Sequence, residues 1–221
     1  MLIDDEKPTF SAAAVRQLRD EILSGAIQPG AKLRVRDLCT RLGISVSPVR
    51  EALNQLTAQG LVQHSAQRGF TVPPADIDDL ADLTLARLAL NEAAVRDAIA
   101  HGDAQWEEEV LLAHHRLSRA ERNPGGPGDW EALHRNFHQA LVNGCRSRRI
   151  VAYCNQLFDM ADRYRLVSRL GVGTTPRDVD AEHEAILRAA LDRNADETVR
   201  LLNEHVERTD HLVREALTRD Q

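Results

Sequence analysis

The sequence predicts a mainly α-helical protein in two parts. A winged helix-turn-helix occupies residues 8–74, and an all-helical bundle of about six helices occupies 75–221. Three observations carry this expectation. Apolar stripes at helical spacing, punctuated by Gly and Pro, run through nearly the whole chain. One short stretch around residue 65 alternates like paired strands instead. The charge also divides near that point. Residues 1–73 hold 9 Lys/Arg and 7 Asp/Glu, residues 74–221 hold 19 and 27, so a mildly basic head precedes an acidic body.

Each element has a local reason. "SAAAVRQLRDEILS" (11–24) places Val15, Leu18, Ile22 and Leu23 on one helical face, with Ser11 as N-cap and Gly25 as its end. Pro29-Gly30 marks a turn. "VRDLCTRLG" forms a second, short helix that Gly43 closes. "ISVSPVREALNQLTAQG" opens a third, capped by Ser45 or Ser47 and closed by Gly60. Pro48 stands in its first turn, where a missing N–H costs nothing. "LVQHSAQRGFTVPP" reads as a two-stranded hairpin around Arg68-Gly69. Two prolines then stop the strand, and Asp76 or Asp78 can cap the next helix. Six helices fall near 77–100, 103–121, 128–143, 147–170, 178–192 and 195–218. The breaks between them are His101-Gly102, "NPGGPGD", Gly144, "GVGTTP" and Asn194.

Composition excludes several classes. The 221 residues are 43% hydrophobic, 28% charged and 4% aromatic, which fits a soluble, helix-rich globular chain. The net charge of −6 speaks against a protein that coats nucleic acid. No apolar run approaches the ~18 residues of a membrane span. "MLIDDEKPTF" lacks the apolar core of a signal peptide. Cys39, Cys145 and Cys154 form no CxxC pair and read as small core residues of a cytoplasmic protein.

The third helix carries the chemistry of the head. A helix fits the DNA major groove, and Arg is the side chain best suited to pair with guanine or clamp phosphate. The first turn of "SVSPVREALNQL" offers Ser45, Ser47 and Arg50. Val49, Leu53 and Leu56 form the packing face, and Glu51 is expected to support the fold. Arg34 and Arg36 sit just before the second helix, within reach of phosphate. His64, Gln67 and Arg68 lie at the hairpin tip, suited to a minor groove. Taken singly, each arginine reads as solvated surface.

Taken together, residues 18–72 resemble the GntR family of bacterial transcription regulators through "ILSG…PG..L", "LG.S..PVREAL..L...GLV" and "RGF.V". The resemblance implies a homodimer that sets two winged helices on a palindromic operator of double-stranded DNA. Its contacts would come from Arg36, Ser45, Ser47, Arg50 and the wing at Arg68-Gly69. Val46 departs from the family pattern, which usually has Arg there reading guanine. Valine donates no hydrogen bond and at most meets a thymine methyl. Losing one good bidentate contact removes ~1–3 kcal/mol of discrimination per half-site. The expected consequence is a shifted operator sequence, with Arg36 and Arg50 keeping the polar contacts.

In the body, His134 and His138 stand four apart in "EALHRNFHQAL", so both rings leave one helix face about a turn apart. That spacing suits two imidazoles on one metal and equally suits a pair of core histidines. His183 and His205, on the last two helices, face inward if Ile186, Leu187, Leu201, Leu202 and Leu212 mark the core side, which the pattern leaves open. His64, His101, His114, His115 and His211 read as surface residues.

Residues 76–218 resemble the FCD effector-binding domain of the FadR subfamily, through "H..FH.AL" and "EH.AIL.A" with a later His. The resemblance implies a divalent cation held by His134, His138, His183 and His205. Six helices match the shorter, VanR-like group. His134 departs from the usual Asp. An all-nitrogen set favours Zn²⁺ or Ni²⁺ over Mg²⁺ or Ca²⁺, and four neutral ligands leave the charge of the cation available to an anionic effector.

Arg87 is the candidate second anchor for such an effector, a small organic acid. A surface ion pair to Asp82 or Glu92 is its competing reading. Arg163 and Tyr164 are further effector candidates. The alternative function is a metal-dependent hydrolase using the same histidines. HExxH would place a glutamate directly after the first His, where Arg135 stands, and no P-loop, nucleophile elbow or dinucleotide fingerprint is present. The expected protein is therefore not an enzyme. It is a DNA-binding repressor whose operator affinity is set by a carboxylate at or near a metal.

Overall fold

The computed structural model describes residues 9–120, 130–170 and 177–219, with 165–170 described by backbone alone. The expected breaks at "NPGGPGD" and "GVGTTP" lie outside the described residues.

The head holds α1 (Phe10–Leu23), α2 (Val35–Leu42), α3 (Val46–Ala58), β1 (Gln63–Ser65) and β2 (Gly69–Thr71). Thr9, not Ser11, caps α1: its Oγ1 accepts the Ala12 N–H at 3.2 Å, while Ser11 is buried inside the first turn. Gly43 ends α2 at φ 67°, the left-handed conformation that a Cβ disfavours. Ser45 holds the cap position of α3 with extended backbone and no side-chain hydrogen bond.

β1 and β2 pair antiparallel, with His64 opposite Phe70, and the Arg68 N–H donates to Ser65 Oγ at 3.1 Å across the turn. The wing is wider than the expected hairpin. After the Pro29-Gly30 turn the chain runs extended along β2, and the Leu33 and Val72 N–H groups donate to the Phe70 and Ala31 carbonyls at 2.8 and 2.9 Å. The bare edge of β2 is thereby covered. Leu18, Val49, Leu53, Leu56, Leu61 and Val72 are fully buried beneath it.

The body holds α4 (Ile77–His101), α5 (Ala104–Ser118), α6 (Trp130–Asn143), α7 (Arg148–Leu170), α8 (Val179–Leu191) and α9 (Ala195–Arg219). Asp76 Oδ1 caps α4 by accepting the N–H groups of Asp78 and Asp79 at 2.8 and 3.0 Å. α4 packs on α7 and α9, α5 on α6, and α8 on α9. Phe137, Val110, Ile186 and Leu141 lie at the centre, none more than 1% exposed. Trp106 is wedged against Gly102 and Gly144, where an added Cβ would come within 2.4 and 2.9 Å of the indole. Its Nε1–H donates to the Ala140 carbonyl at 3.0 Å.

Head and body meet along α1 and α7. Arg19 on α1 pairs with Asp159 on α7, Gln156 donates to the Ala58 carbonyl at 3.2 Å, and Met160 packs against Gly60. From α6, Arg135 reaches the same Asp159 at 3.1 Å and also pairs with Asp162. The two carboxylates and Arg135 are largely shielded from water, so each depends on its partner. Arg135→Ala should therefore cost about 3–5 kcal/mol, as expected when one side of a buried ion pair is removed. Urea unfolding checks this. A loss no larger than the ~1 kcal/mol of an exposed pair would show that the cluster is not needed.

Candidate metal centre and nucleic-acid interface

α3 packs through Val49, Leu53 and Leu56, which turns Val46, Ser47 and Arg50 outward. Val46 is 51% exposed, a large apolar side chain left facing solvent. Ser45, Arg34, Arg36 and Arg68 are also at the surface, and Gly69, at φ 72°, forms the wing turn. Lys32, Arg34, Arg50, His64, Arg68 and Gly69 line one groove between α3 and the wing. A shallower face carries Val46, Ser47, Arg50, Glu51 and Asn54. Arg50 belongs to both and joins them. Arg36 lines neither, although it is exposed on α2. Glu51, expected to support the fold, is exposed on this face instead. Lys32 and Asn54 are additions that the linear motif did not single out. Lys32 joins the groove because the segment after Pro29-Gly30 pairs with β2.

In the body, α6 contributes His134 and His138, α8 contributes His183, and α9 contributes His205. All four are between 1% and 8% exposed, and one ring nitrogen from each lies within 4.8 Å of the others. The Nε2 atoms of His134 and His138 are 3.0 Å apart. Two nitrogens bound at 2.0–2.1 Å to a common ion stand about 2.8–3.4 Å apart at right or tetrahedral angles. The His134–His138 pair is at that spacing, and the four imidazoles together are a donor set that could hold a divalent cation.

Aromatic rings close the centre. Trp130 stacks on His134 at 4.7 Å and 17°, and Phe158 lies 5.2 Å from His138. A cavity of about 120 Å³ opens beside the cluster, lined by His134, His138, His205, Trp130, Arg87 and Arg177 among others. The Arg87 guanidinium stands 5.6 Å from the Phe158 ring. Glu92, one of the acids considered as its partner, instead binds Arg96 at 2.8 Å.

Glu182 and Arg177 complete the surroundings, and neither stood out in the sequence beyond the proximity of Glu182 to His183. Glu182 Oε2 is 2.8 Å from His205 Nδ1. Arg177 donates to both oxygens of Glu182, at 2.9 and 2.7 Å, and Arg208 donates to Oε1 at 3.0 Å. Burial would push this carboxyl up. The bonds from His205 and Arg177 outweigh burial and hold it well below the usual carboxylate range.

Three expectations need correction. Arg163 and Tyr164 do not line the cavity. Arg163 pairs with Asp79, and the Tyr164 hydroxyl donates to Asp79 and lies 3.2 Å from the Asp76 carbonyl, so both serve the start of α4. His114 is buried against Phe137 rather than exposed, and burial lowers its pKa. Glu182 means that the histidine set is not electrically isolated. Cys145 and Cys154 are buried, and burial pushes the Cys154 thiol up to about 11. Cys39 is half-buried.

A winged helix with a basic groove, carried on an all-helical bundle, makes this a DNA-binding transcriptional regulator. It belongs to the GntR family. Residues 10–72 match "Bacterial regulatory proteins, gntR family" and residues 82–208 match the FCD domain. The chain is 38% identical over 208 residues to the HTH-type transcriptional regulator BphR of Paraburkholderia xenovorans, covering 92% of this chain and 84% of that one. It is 34% identical over 198 residues to the HTH-type transcriptional repressor GlaR of Escherichia coli, covering 86% and 90%. Among solved structures, E. coli McbR/YncC superposes with a TM-score of 0.77 over 94% of this chain and 98% of its own; at 21% identity that likeness shows the shared fold. No helix among the described residues is long and apolar enough to cross a membrane.

Lys32 supplies a test of the groove. A phosphate contact is blind to sequence, so Lys32→Ala should weaken binding to all DNA alike and lower the salt slope of log K by about 1. Fluorescence anisotropy across a salt series checks this. An unchanged slope would remove Lys32 from the interface.

Proposed function

We propose that this regulator is a homodimeric repressor whose operator affinity is set by a small carboxylate binding beside a divalent metal in the helical bundle. The observation that carries the reading is the convergence of four buried histidines next to a cavity that Arg87 and Arg177 also line. His134, His138, His183 and His205 would hold the ion, which would supply a positive centre for an anion. The chain's own groups bind and orient that anion and exclude water through Trp130 and Phe158. The name of GlaR, and that of the E. coli repressor RspR at 28% identity, support the direction of control. The setting is the cytoplasm, where the DNA is.

The mechanism is linkage. An effector that prefers one of two arrangements of the heads shifts operator affinity by its differential binding. Two winged helices read successive half-sites only when their spacing matches the helical repeat. A hydrolase is disfavoured because the carboxylate that reaches the cluster, Glu182, is clamped by Arg177 and Arg208 and is poorly placed to accept a substrate proton.

Three outcomes test this. A gel shift on DNA upstream of the protein's own gene should show a sequence-specific complex that weakens with salt; its absence at every protein concentration would sink the regulator reading. Elemental analysis should find metal in the wild type and much less in His138→Ala, and equal content would remove the site. Selection of operators from random DNA should return a guanine for Val46→Arg that the wild type does not prefer, with about 5–150-fold discrimination, the equivalent of ~1–3 kcal/mol. Identical preferences would show that residue 46 does not read sequence.

A further inference from the structure

We propose that Glu182 is the positioning residue of the metal centre: it fixes His205 with Nδ1 protonated and Nε2 turned to the ion, and Arg177 fixes Glu182 for that task. The inference rests on the metal reading above and extends it outward from the four ligands. A neutral imidazole can present either nitrogen, and its hydrogen bond to a neighbour decides which one. Two groups approach Nδ1 of His205: Glu182 Oε2 at 2.8 Å and Arg177 Nη2 at 3.2 Å, but Nη2 already directs its two N–H groups to Glu182 Oε2 at 2.7 Å and to the His205 carbonyl at 3.0 Å. A carboxylate only accepts, so at 2.8 Å from Glu182 Oε2 the Nδ1 of His205 must donate. The lone pair is then left on Nε2. A histidine whose outer nitrogen donates to a carboxylate is also the more basic ligand.

Glu182 is held from three sides, which is what positioning requires. Arg177 grips both carboxylate oxygens, at 2.9 and 2.7 Å, and Arg208 binds Oε1 at 3.0 Å. Arg177 is in turn fixed by Thr209 Oγ1 at 2.9 Å and by the His205 carbonyl at 3.0 Å. The arginine, the glutamate and the ligand therefore form one closed unit spanning the start of α8 and the middle of α9. Glu182 precedes the ligand His183 on α8, so the same turn carries one ligand and orients another. Arg177 also lines the cavity, so this unit borders the space that an anion would fill.

The test uses the full-length protein stripped of metal by chelation and dialysis. Zn²⁺ affinity is measured by competition with a chromophoric chelator, and Co²⁺ is added separately to record its visible absorption, which reports ligand geometry. Glu182→Gln keeps the size and removes the charge. It should weaken Zn²⁺ binding about 10–100-fold and shift the Co²⁺ bands; because Arg177 also loses its charged partner, the thermal midpoint of the metal-free protein should fall, and the affinities are compared at a temperature where circular dichroism shows both metal-free proteins folded. Glu182→Asp should recover part of the affinity. Arg177→Gln, which leaves Glu182 in place but loose, should give an intermediate loss.

Wild-type affinity and wild-type Co²⁺ bands in Glu182→Gln would overturn the positioning role while leaving the four histidines as the site. A wild type that takes up neither ion would overturn the metal reading itself. If Glu182→Gln does not fold, Arg177→Gln decides, and undiminished affinity there removes the role.

Discussion

Four imidazoles cannot leave water together without partners, because a buried polar group that finds none costs about 1–3 kcal/mol. The bundle is built around that constraint. His134, His138, His183 and His205 come from three helices and meet at its centre, each less than a tenth exposed. Successive helix residues turn by about 100°, so a one-residue slip of α8 or α9 would take His183 or His205 away from the cluster. The meeting of these rings thus ties the registers of α6, α8 and α9 to one another. Ile186, Leu202 and Phe137 supply the apolar packing around them.

The same helix that carries two of the histidines also anchors the head. Arg135 follows His134 in the chain but leaves α6 in another direction, to Asp159 and Asp162 on α7. Asp159 then meets Arg19 of α1. Buried charges tolerate few arrangements, because losing a partner costs more than the pair contributes. The helix that carries His134 and His138 and the DNA-binding head are thus tied through a chain of charged residues, Arg135 to Asp159 to Arg19, rather than by apolar contact alone. At the other end of the interface, Arg163 and Tyr164 hold the N-terminal turn of α4 through Asp79.

An acidic chain that binds DNA is a contradiction only if charge is averaged. The net charge of −6 belongs to the whole chain, whereas screening confines the influence of a surface charge to roughly 8–10 Å at physiological salt. Lys32, Arg34, Arg50 and Arg68 share one groove, and none of the residues lining it is acidic. Glu51 does stand on the adjoining face beside Val46. That face is less cationic than the groove, and its character suits apolar contact with thymine more than a clamp on phosphate.

Local chemistry made much of this legible in the chain. Helical spacing, Gly43 and the turn at Gly69 place α2, α3 and the wing, because those features depend on neighbours in sequence. The six body helices fall within a few residues of their expected limits wherever they are described. The i,i+4 spacing put His134 and His138 on one face for the same reason. What only the tertiary structure decided is which distant groups meet. The convergence of α6, α8 and α9 on one point, the burial of His114 against Phe137, and the diversion of Arg163 and Tyr164 to Asp79 all depend on packing between helices. So do the third extended segment of the wing and the clamp of Arg177 and Arg208 on Glu182. Glu182 itself shows the limit: in the chain it is one more acid on an amphipathic helix, and only the approach of α9 makes it the partner of His205.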